Sequence, residues 1–437
     1  VPDKGTTIIA KVKPSLKERG NNGARRKEYF NLETCHHDIY PDAAEFKVEE
    51  GKKIRTTDCI RYEFIPPRFI KHIYHQHYYA CKGTVYAGSL PAVPLLNSNY
   101  DASFIAGILQ LRYIYSMPVE RIIKLFAEHG FEMNKATAHG LIKKAAGLFD
   151  LVEDVLKETV LSDNYLSMDE SYYTVLTSDT NNQSGKSTAK GYIWAALANH
   201  LKLVHFFYEN GSRSRKVLTG YLREDYRGAI QSDGLGNYKI IEKEAYPDAI
   251  RLSCFQHCKR KFLNITGNKD AEKIVRIINR LYQNEHRIPP DWTACQILDY
   301  RNKYAPPILK ELKEELINIK NKKSTLPKSE LSKAINYTLN EYDALCNYIR
   351  SADYAPDNNA IERLMRYISL SRRNSLFCGS HQGAKRAALI YSLACSCRLN
   401  NINSFEYFKD LLTKLIDINP NTDHETIRNL LPHKWQR

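Results

Sequence analysis

Three acidic residues in separate segments define the chemistry that this sequence can support. Asp169 lies in the strand-like run Leu-Ser-Met-Asp-Glu, Asp233 follows the run Ile-Gln-Ser, and Glu362 lies in a stretch with helical spacing. Two Mg²⁺ ions about 3.5–4 Å apart need carboxylates on both sides to stabilise the attacking and leaving oxygens of a phosphodiester. Mg²⁺ keeps several of its waters, so three protein carboxylates are enough. Asp169, Asp233 and Glu362 are therefore predicted catalytic residues and metal ligands, with Mg²⁺ or Mn²⁺ as the cofactor.

The strand pattern selects Asp169 over the acidic residue beside it. Side chains alternate along a strand, so Asp169 and Glu170 are expected on opposite faces, with Asp169 on the more polar one. An isolated strand aspartate is commonly only a surface or turn residue. The catalytic interpretation is favoured because Asp233 ends another strand of the same α/β unit. The glycine after Asp233 lets a phosphate approach the backbone.

The stretch around Glu362 contains residues suited to binding a polyanion. Asn358 and Asn359 lie four and three residues before Glu362, on the same helical face, where they can orient the carboxylate or contact substrate. Guanidinium groups match phosphate geometry, and four arginines follow: Arg363, Arg366, Arg372 and Arg373. The alternative is an amphipathic helix whose charges are simply solvated.

The overall charge favours nucleic acid as the partner. Lys and Arg number 64 against 49 Asp and Glu, which gives a net charge of +15. Such an excess predicts a polyanionic partner, and nucleic acid is favoured over the alternative of generic surface solubility, with binding that weakens as salt rises. The further candidate DNA contacts are Lys143, Lys144, His257, Lys259, Arg260 and Lys261.

The apolar pattern predicts an α/β protein in several segments. Strands, a helix and a strand precede a long helical stretch, which is the order of a ribonuclease-H-like catalytic core with a large helical insertion. A helical domain and a small β-containing N-terminal region, with short strands over residues 60–80, precede this core. The predicted segments are 1–82 (N-terminal region), 83–100 (linker), 101–160 (helical), 161–258 (core, first part), 259–350 (insertion), 351–415 (core, second part) and 416–437 (tail).

The helical segment 101–160 has two interpretations. A helix opens at Met117-Pro118 and runs to Gly130, and another opens after Asn134, a plausible N-cap. Two helices joined by a short glycine turn, the second bearing Lys143 and Lys144, are typical of a helix-turn-helix that binds DNA. A plain helical bundle with solvated lysines has the same periodicity, so both interpretations stay open.

From about Tyr62 to its end, the sequence resembles transposases of the insertion sequence 66 family. Several separate motifs in the same order carry the resemblance. They are Leu-Ser-Met-Asp169-Glu170-Ser, Ile-Gln-Ser-Asp233-Gly-Leu-Gly-Asn-Tyr238, Cys254-Phe-Gln-His257-Cys-Lys-Arg-Lys-Phe262, Asp357-Asn-Asn-Ala-Ile-Glu362-Arg, Arg373-Asn-Ser-Leu-Phe377 and Leu430-Leu-Pro-His-Lys-Trp435.

The resemblance implies an enzyme of the Asp-Asp-Glu type, with Asp169, Asp233 and Glu362 as the metal ligands and an insertion before the glutamate. The implied activity is cutting at the ends of the protein's own mobile element and joining the freed 3′-hydroxyl ends to target DNA. A homo-oligomer is expected because two element ends must be brought together, and two small companion proteins are possible partners. The rival interpretations are another ribonuclease-H-like nuclease or resolvase, and a decayed or domesticated copy that only binds DNA.

The cysteines predict neither a disulfide framework nor a structural zinc site. The ten cysteines have no regular spacing, so reduced, cytosolic thiols are expected. A four-ligand Zn²⁺ site can be drawn from Cys35, His37, Cys81 and one of His72, His75 and His77, but the favoured interpretation is a degenerate site. Cys254, His257 and Cys258 lack a matching second half, so zinc is not expected there either.

Two further expectations concern the ends and the solubility of the chain. It begins at Val1 rather than Met, from which we expect a trimmed or fragmentary N-terminus. No apolar run approaches the ~20 residues of a membrane span, so no membrane partner is expected.

Overall fold

The computed structural model describes residues 68–81, 84–88, 90–96, 98–176, 188–234, 238, 246–419 and 421–436. Cys35 and His37 of the possible zinc site lie outside these residues. The first described element is an antiparallel hairpin of β1 (Tyr78–Cys81) and β2 (Thr84–Ala87). Strand β2 therefore lies within residues 83–100, which the sequence predicted to be a linker. Of the short strands expected over 60–80, the described residues show one at residues 78–80, in β1, and none at residues 68–77.

A group of helices follows the hairpin. It consists of α1 (Ala102–Leu109), continued by a π-helical stretch Gln110–Ile114, and of α2 (Val119–Glu128) and α3 (Lys135–Leu161). Asn134 caps α3, because its side chain accepts a hydrogen bond from the Thr137 N–H. The predicted helix after Asn134 is thus confirmed, and it extends to residue 161. The buried residues of α1 and α3 belong to the main hydrophobic core.

One five-stranded sheet forms the centre of the described structure. Its strands are β3 (Tyr165–Leu176), β4 (Thr188–Ala198), β5 (Leu203–Phe207), β6 (Ala229–Gln231) and β7 (Ile250–Leu252), in the spatial order β5-β4-β3-β6-β7. The strands β3, β4 and β5 are antiparallel neighbours, whereas β6 runs parallel to β3 and β7 parallel to β6. The helix α4 (Arg215–Tyr221) connects β5 to β6. The strand β7 was missed by sequence reasoning, because the charged Arg251 at its centre interrupts the apolar run that marks a buried strand.

Helices fill the interval between β7 and the segment that carries Glu362, as the sequence predicts. They are α5 (Phe255–Leu263), α6 (Lys269–His286), α7 (Ala294–Lys320), α8 (Glu330–Asn340) and α9 (Tyr342–Cys346), followed by a 3₁₀ turn (Asn347–Arg350). They pack around a second hydrophobic core of their own. The helical periodicity of residues 328–349 suggests one helix, but the structure has two, α8 and α9, separated at Glu341, whose buried carboxylate lies 2.5 Å from the guanidinium of Arg251 in β7. This buried ion pair attaches the inserted helices to the sheet.

Four helices complete the chain: α10 (Asn359–Asn374), α11 (His381–Leu399), α12 (Ser404–Lys414) and α13 (His424–Arg428). The long helix α11 covers the edge strand β5. Its Ser392 and Ser396 hydroxyls accept hydrogen bonds from the Phe206 and Val204 N–H groups at 2.7 and 3.0 Å. A helix that satisfies an exposed strand edge prevents further strand pairing there. Within the described ranges, no helix is long and apolar enough to cross a membrane.

Candidate active site

The three predicted carboxylates come from three elements that meet at β3. Asp169 lies in the middle of this strand. Asp233 lies two residues beyond β6, which pairs in parallel with the first residues of β3. Glu362 lies in the first turn of α10, which packs against β3. The negative charges of Asp233 and Glu362 both act on Asp169. The structure therefore brings together three acidic residues that are far apart in the sequence.

The electrostatics of this site oppose ionisation of Asp169. Burial and the neighbouring carboxylates of Glu170, Asp233 and Glu362 raise the pKa of Asp169 well above its usual range. A hydrogen bond from the Glu170 N–H, at 2.9 Å, opposes the rise only in part. A carboxylate surrounded by like charges is stabilised by a bound cation, because the cation removes the repulsion. The site therefore has the charge of a cation-binding site.

Glu170, next to Asp169, has partners of its own. Its carboxylate accepts hydrogen bonds from Arg213 Nε and Nη2 at 3.1 and 2.7 Å, and from the Tyr238 hydroxyl at 3.0 Å. Burial raises the pKa of Glu170 and the charge of Asp233 adds to this, while Arg213 and Tyr238 oppose the rise. Glu170 thus carries a charge that already has a cationic partner, unlike a carboxylate available to a metal ion.

Replacing Asp169 with asparagine is expected to stabilise the metal-free protein. A carboxyl whose folded-state pKa is raised destabilises the fold as pH rises above its unfolded-state value, which is near 3.8, until the folded group ionises. Asparagine has no such charge, so this destabilisation is absent from the variant. We expect the Tm in EDTA to rise at neutral pH and to change little near pH 4. Thermal unfolding at both pH values measures this, and a lower Tm at neutral pH would contradict it.

Side chains at both ends of α10 fix the helix on β3. Near its start, Asn358 Nδ2 donates to the Met168 carbonyl at 3.0 Å. Near its end, Arg372 Nη1 donates to the Ser171 hydroxyl at 2.8 Å and to the Tyr172 carbonyl at 2.7 Å, with its guanidinium 3.7 Å from the centre of the Tyr172 ring. These contacts lie on either side of Asp169 along β3. They hold Glu362, in the first turn of α10, in a fixed place relative to that residue.

Two of the predicted DNA contacts have a different environment from the one expected. Asn358 is 1% exposed, so the structure favours the expectation that it orients the helix of Glu362 over a contact with DNA, which stays a prediction. The Arg372 guanidinium is occupied by β3, which differs from the predicted phosphate contact. Both side chains instead position α10. The sequence could not show this, because an asparagine or arginine that binds a distant backbone has no local signature.

The other predicted DNA contacts are accessible. Lys143 and Lys144 are exposed on α3, as are Arg363, Arg366 and Arg373 on or near α10, while Asn359 is half-buried. On α5, Lys259 lies 5.7 Å from the centre of the Tyr282 ring and Lys261 lies 4.2 Å from that of Tyr337. Their contacts with DNA stay predictions.

Two α5 side chains face Glu362 directly. His257 Nδ1 lies 3.7 Å from Glu362 Oε1, and Arg260 Nη2 lies 3.7 Å from Glu362 Oε2. Both distances are longer than a hydrogen bond, so neither side chain neutralises the carboxylate by direct proton sharing. These basic residues of α5 therefore lie next to the acidic site, where they can bind a phosphate group.

Tyr337 is a residue near the site that sequence reasoning missed. It lies on α8, and its hydroxyl accepts a hydrogen bond from the Gly234 N–H at 3.1 Å. Gly234 directly follows Asp233. The inserted helices thus contact the loop that carries the second aspartate. No signal in the sequence connects Tyr337 with Gly234, because the contact depends on how α8 folds back.

The fold and the site define the chain as an α/β protein with a helical insertion and with three carboxylates that come together at one site. Comparison with known families gives the assignment: the profile described as "Transposase IS66 family" matches residues 97–386. The chain belongs to this family of transposases. The resemblance found in the sequence is thereby confirmed.

The chain is also similar to individual proteins and to a solved structure. The uncharacterized proteins y4jD and y4hP of Sinorhizobium fredii (strain NBRC 101917 / NGR234) are 26% and 24% identical to the chain, over 82% and 77% of it. The chain spans 70% and 62% of the lengths of these two proteins. Among solved structures, the Drosophila P element transposase strand transfer complex is similar with a TM-score of 0.36 and 11% identity, over 68% of this chain and 92% of that one.

Proposed function

We propose that this transposase cuts DNA at the ends of its mobile element and joins the freed 3′-hydroxyl ends to target DNA, with Asp169, Asp233 and Glu362 as its catalytic metal ligands. The observation that carries the proposal is the convergence of these three carboxylates on β3, which raises the pKa of Asp169. Membership of a transposase family supplies the substrate class. The protein acts as a homo-oligomer, because two element ends must be held at once.

The sheet supports a ribonuclease-H-like interpretation of the core. Three antiparallel strands followed by two strands added in parallel on the other side of β3 are the arrangement expected for such a core. The helices from α5 to α9 then occupy the position of an insertion, between β7 and the helix that carries Glu362. In this interpretation the insertion explains the long interval between Asp233 and Glu362.

The residues present fit a pair of divalent metal ions. Carboxylate oxygens are the ligands that Mg²⁺ and Mn²⁺ prefer. Glu362 Oε1 is buried and has no hydrogen-bond partner among the residues that the structure describes, so it is available as a ligand. When bound, such ions would activate the attacking oxygen and stabilise the leaving oxygen of the phosphodiester. The chain itself supplies the ligands, and the basic residues of α5 that adjoin them can orient the phosphate.

The test is a cleavage and strand-transfer assay on DNA that carries the element's own terminal inverted repeats. Wild type and Glu362→Gln are compared with Mg²⁺, with Mn²⁺ and in EDTA. Products that need metal and come from wild type alone would support the proposal. Cleavage without strand transfer would favour a nuclease instead. If both proteins bind the ends and neither acts, even after addition of the two companion proteins, the chain is a binding-only copy.

The DNA contacts predicted on α3 can be tested through salt dependence. Lys143→Ala with Lys144→Ala is expected to weaken binding and to lower the slope of log affinity against log salt by about 1 for each phosphate that is no longer neutralised. The matched control replaces two other exposed lysines, Lys310 and Lys333 on α7 and α8, which form only surface ion pairs. Fluorescence anisotropy over a range of salt concentrations measures both. Equal slopes for the two double variants would show that α3 contributes general charge only.

A further inference from the structure

Three side chains form a compact cluster beside the proposed catalytic glutamate. Cys254 is the N-cap residue of α5, His257 lies one turn further, and α10 brings Glu362 against both. One sulfur, one nitrogen and one oxygen atom from these side chains lie within 4.8 Å of one another. Cys254 is fully buried, whereas the His257 and Glu362 side chains are 26% and 23% exposed. The cluster is therefore closed at the cysteine and accessible from the side of the glutamate.

Three buried polar atoms in or next to this cluster have no hydrogen-bond partner among the described residues. His257 Nδ1 and Glu362 Oε1 are buried and find no hydrogen-bond partner in the described part of the chain, and the same holds for Asn358 Oδ1. Asn358 adjoins the cluster, because its main-chain N–H lies 3.3 Å from Cys254 Sγ. Leaving such an atom buried and unpaired is destabilising. Two of these atoms can only accept, and a neutral imidazole nitrogen can present a lone pair, so a cation satisfies them.

The chemistry of the three ligands identifies the class of cation. Sulfur and imidazole nitrogen are ligands of Zn²⁺ and similar transition metals, whereas Mg²⁺ takes oxygen. Zn²⁺ binds nitrogen and oxygen at about 2.0–2.2 Å, so two such atoms on one tetrahedral ion lie about 3.4 Å apart. His257 Nδ1 and Glu362 Oε1, at 3.7 Å, are already close to this separation. The sequence did not reveal the third ligand of this cluster, because Glu362 lies on a helix that is distant from Cys254 and His257 in the sequence.

We propose that Cys254, His257 and Glu362 bind one transition-metal ion of the Zn²⁺ class, and that this binding inhibits the enzyme. The inhibition rests on the proposed function, in which Glu362 is a ligand of the catalytic metal. A carboxylate oxygen held by Zn²⁺ at Cys254 and His257 is withdrawn from that role. Because Zn²⁺ binds a given site more tightly than Mn²⁺, low concentrations of Zn²⁺ compete with the catalytic ion.

The binding part is tested on the full-length, EDTA-treated chain, with Co²⁺ as a spectroscopic probe of thiolate ligation and Zn²⁺ titrated by competition. Cys254→Ser is compared with Cys258→Ser, a buried cysteine of the same helix outside the cluster. Because the chain has other cysteines and histidines, the readout is the difference between variants. Cys254→Ser is expected to weaken one site by about 100-fold or more, since even loss of an outer-shell partner costs 10–100-fold. It should also remove the thiolate–Co²⁺ absorption of that site.

A second variant guards against misfolding of Cys254→Ser. His257→Gln changes a side chain that is partly exposed, removes a different ligand, and is expected to weaken the same site. Thermal unfolding of each protein shows whether it is folded. If folded Cys254→Ser and His257→Gln bind Zn²⁺ and Co²⁺ as Cys258→Ser does, the cluster is not a metal site and the inference is wrong.

The inhibitory part uses Mg²⁺-dependent cleavage at increasing Zn²⁺, with each variant measured relative to its own zinc-free rate. The Zn²⁺ concentration for half-inhibition is expected to rise at least about tenfold in Cys254→Ser, in line with the weaker binding of Zn²⁺, and to stay unchanged in Cys258→Ser. Zn²⁺ binding that depends on Cys254, without any Mg²⁺-dependent cleavage by wild type, would overturn the proposed function and leave the metal site standing. Normal cleavage with equal Zn²⁺ inhibition in both variants would overturn the inhibitory role alone.

Discussion

Asp169→Asn is expected to reduce cleavage and strand transfer by about 10³-fold or more while the affinity for element-end DNA stays nearly unchanged. Metal ions contribute several kcal/mol of transition-state stabilisation, and each 1.36 kcal/mol is about a factor of ten in rate. Asparagine is nearly the same size as aspartate but is a poor ligand for Mg²⁺. Single-turnover rates with Mg²⁺ and anisotropy binding curves measure the two quantities separately.

A matched control is available in Glu311→Gln, which also replaces a carboxylate by an amide. Glu311 pairs with Arg280 on the partly exposed surface of the insertion, where an ion pair contributes little. This variant is expected to keep wild-type rates. If Asp169→Asn also abolished DNA binding, Asp169 would be a structural residue, and the assignment of the site would have to change.

The activity and the stability of Asp169→Asn are expected to change in opposite directions. Removing a repelled carboxylate stabilises the metal-free fold, and the same change removes a proposed metal ligand. Replacing a residue with only a structural role would lower both activity and stability. The combination of a higher Tm and a much lower rate therefore separates a functional carboxylate from a structural one.

The sequence predicted those parts of the site that local patterns encode. Asp169 lies within an alternating run that forms β3, and Asp233 follows a short apolar run that forms β6. Glu362 lies on a helix, as its spacing predicts. In each case the type of element follows from residues that are close in the sequence, so tertiary contacts are not needed to infer it. The catalytic roles of the three residues stay predictions.

What the sequence did not predict depends on contacts between distant residues. The helical pattern around Glu341 is interrupted at this residue, whose carboxylate is buried against Arg251 of the distant strand β7. Asn358 has the helical spacing of a substrate contact, yet its side chain is buried and its Nδ2 donates a hydrogen bond to the Met168 carbonyl. Such partners come from separate elements, and periodicity carries no information about them.

Gly234→Ala is expected to reduce cleavage by about 10²-fold, the effect that a displacement of about 1 Å has in an active site. A Cβ at this position would lie 2.3 Å from the Tyr337 hydroxyl and 2.7 Å from two atoms of its ring. Side-chain carbons do not approach other atoms so closely, so either α8 or the loop that carries Asp233 must move. The backbone of Gly234 is not in the left-handed region, so the obstacle is Tyr337 rather than strain.

A second variant tests whether Tyr337 causes the effect of Gly234→Ala. Tyr337→Ala removes the obstructing ring, so adding Gly234→Ala to it is expected to reduce cleavage little further. Tyr337→Phe removes the hydroxyl but keeps the ring carbons, and it should rescue much less. Gly220→Ala, in α4 where a Cβ meets no atom within 4 Å, is the control and should keep the wild-type rate.

Cleavage rates for the four corners of this double-mutant cycle give the coupling between the two positions. A large coupling would mean that the inserted helices help to set the position of Asp233, because Tyr337 belongs to α8 and its hydroxyl is bound by the Gly234 N–H. Additive effects would instead mean that the loop adjusts independently of α8. In that case the inserted helices would not affect the geometry of the acidic site, which would depend on β3, β6 and α10 alone.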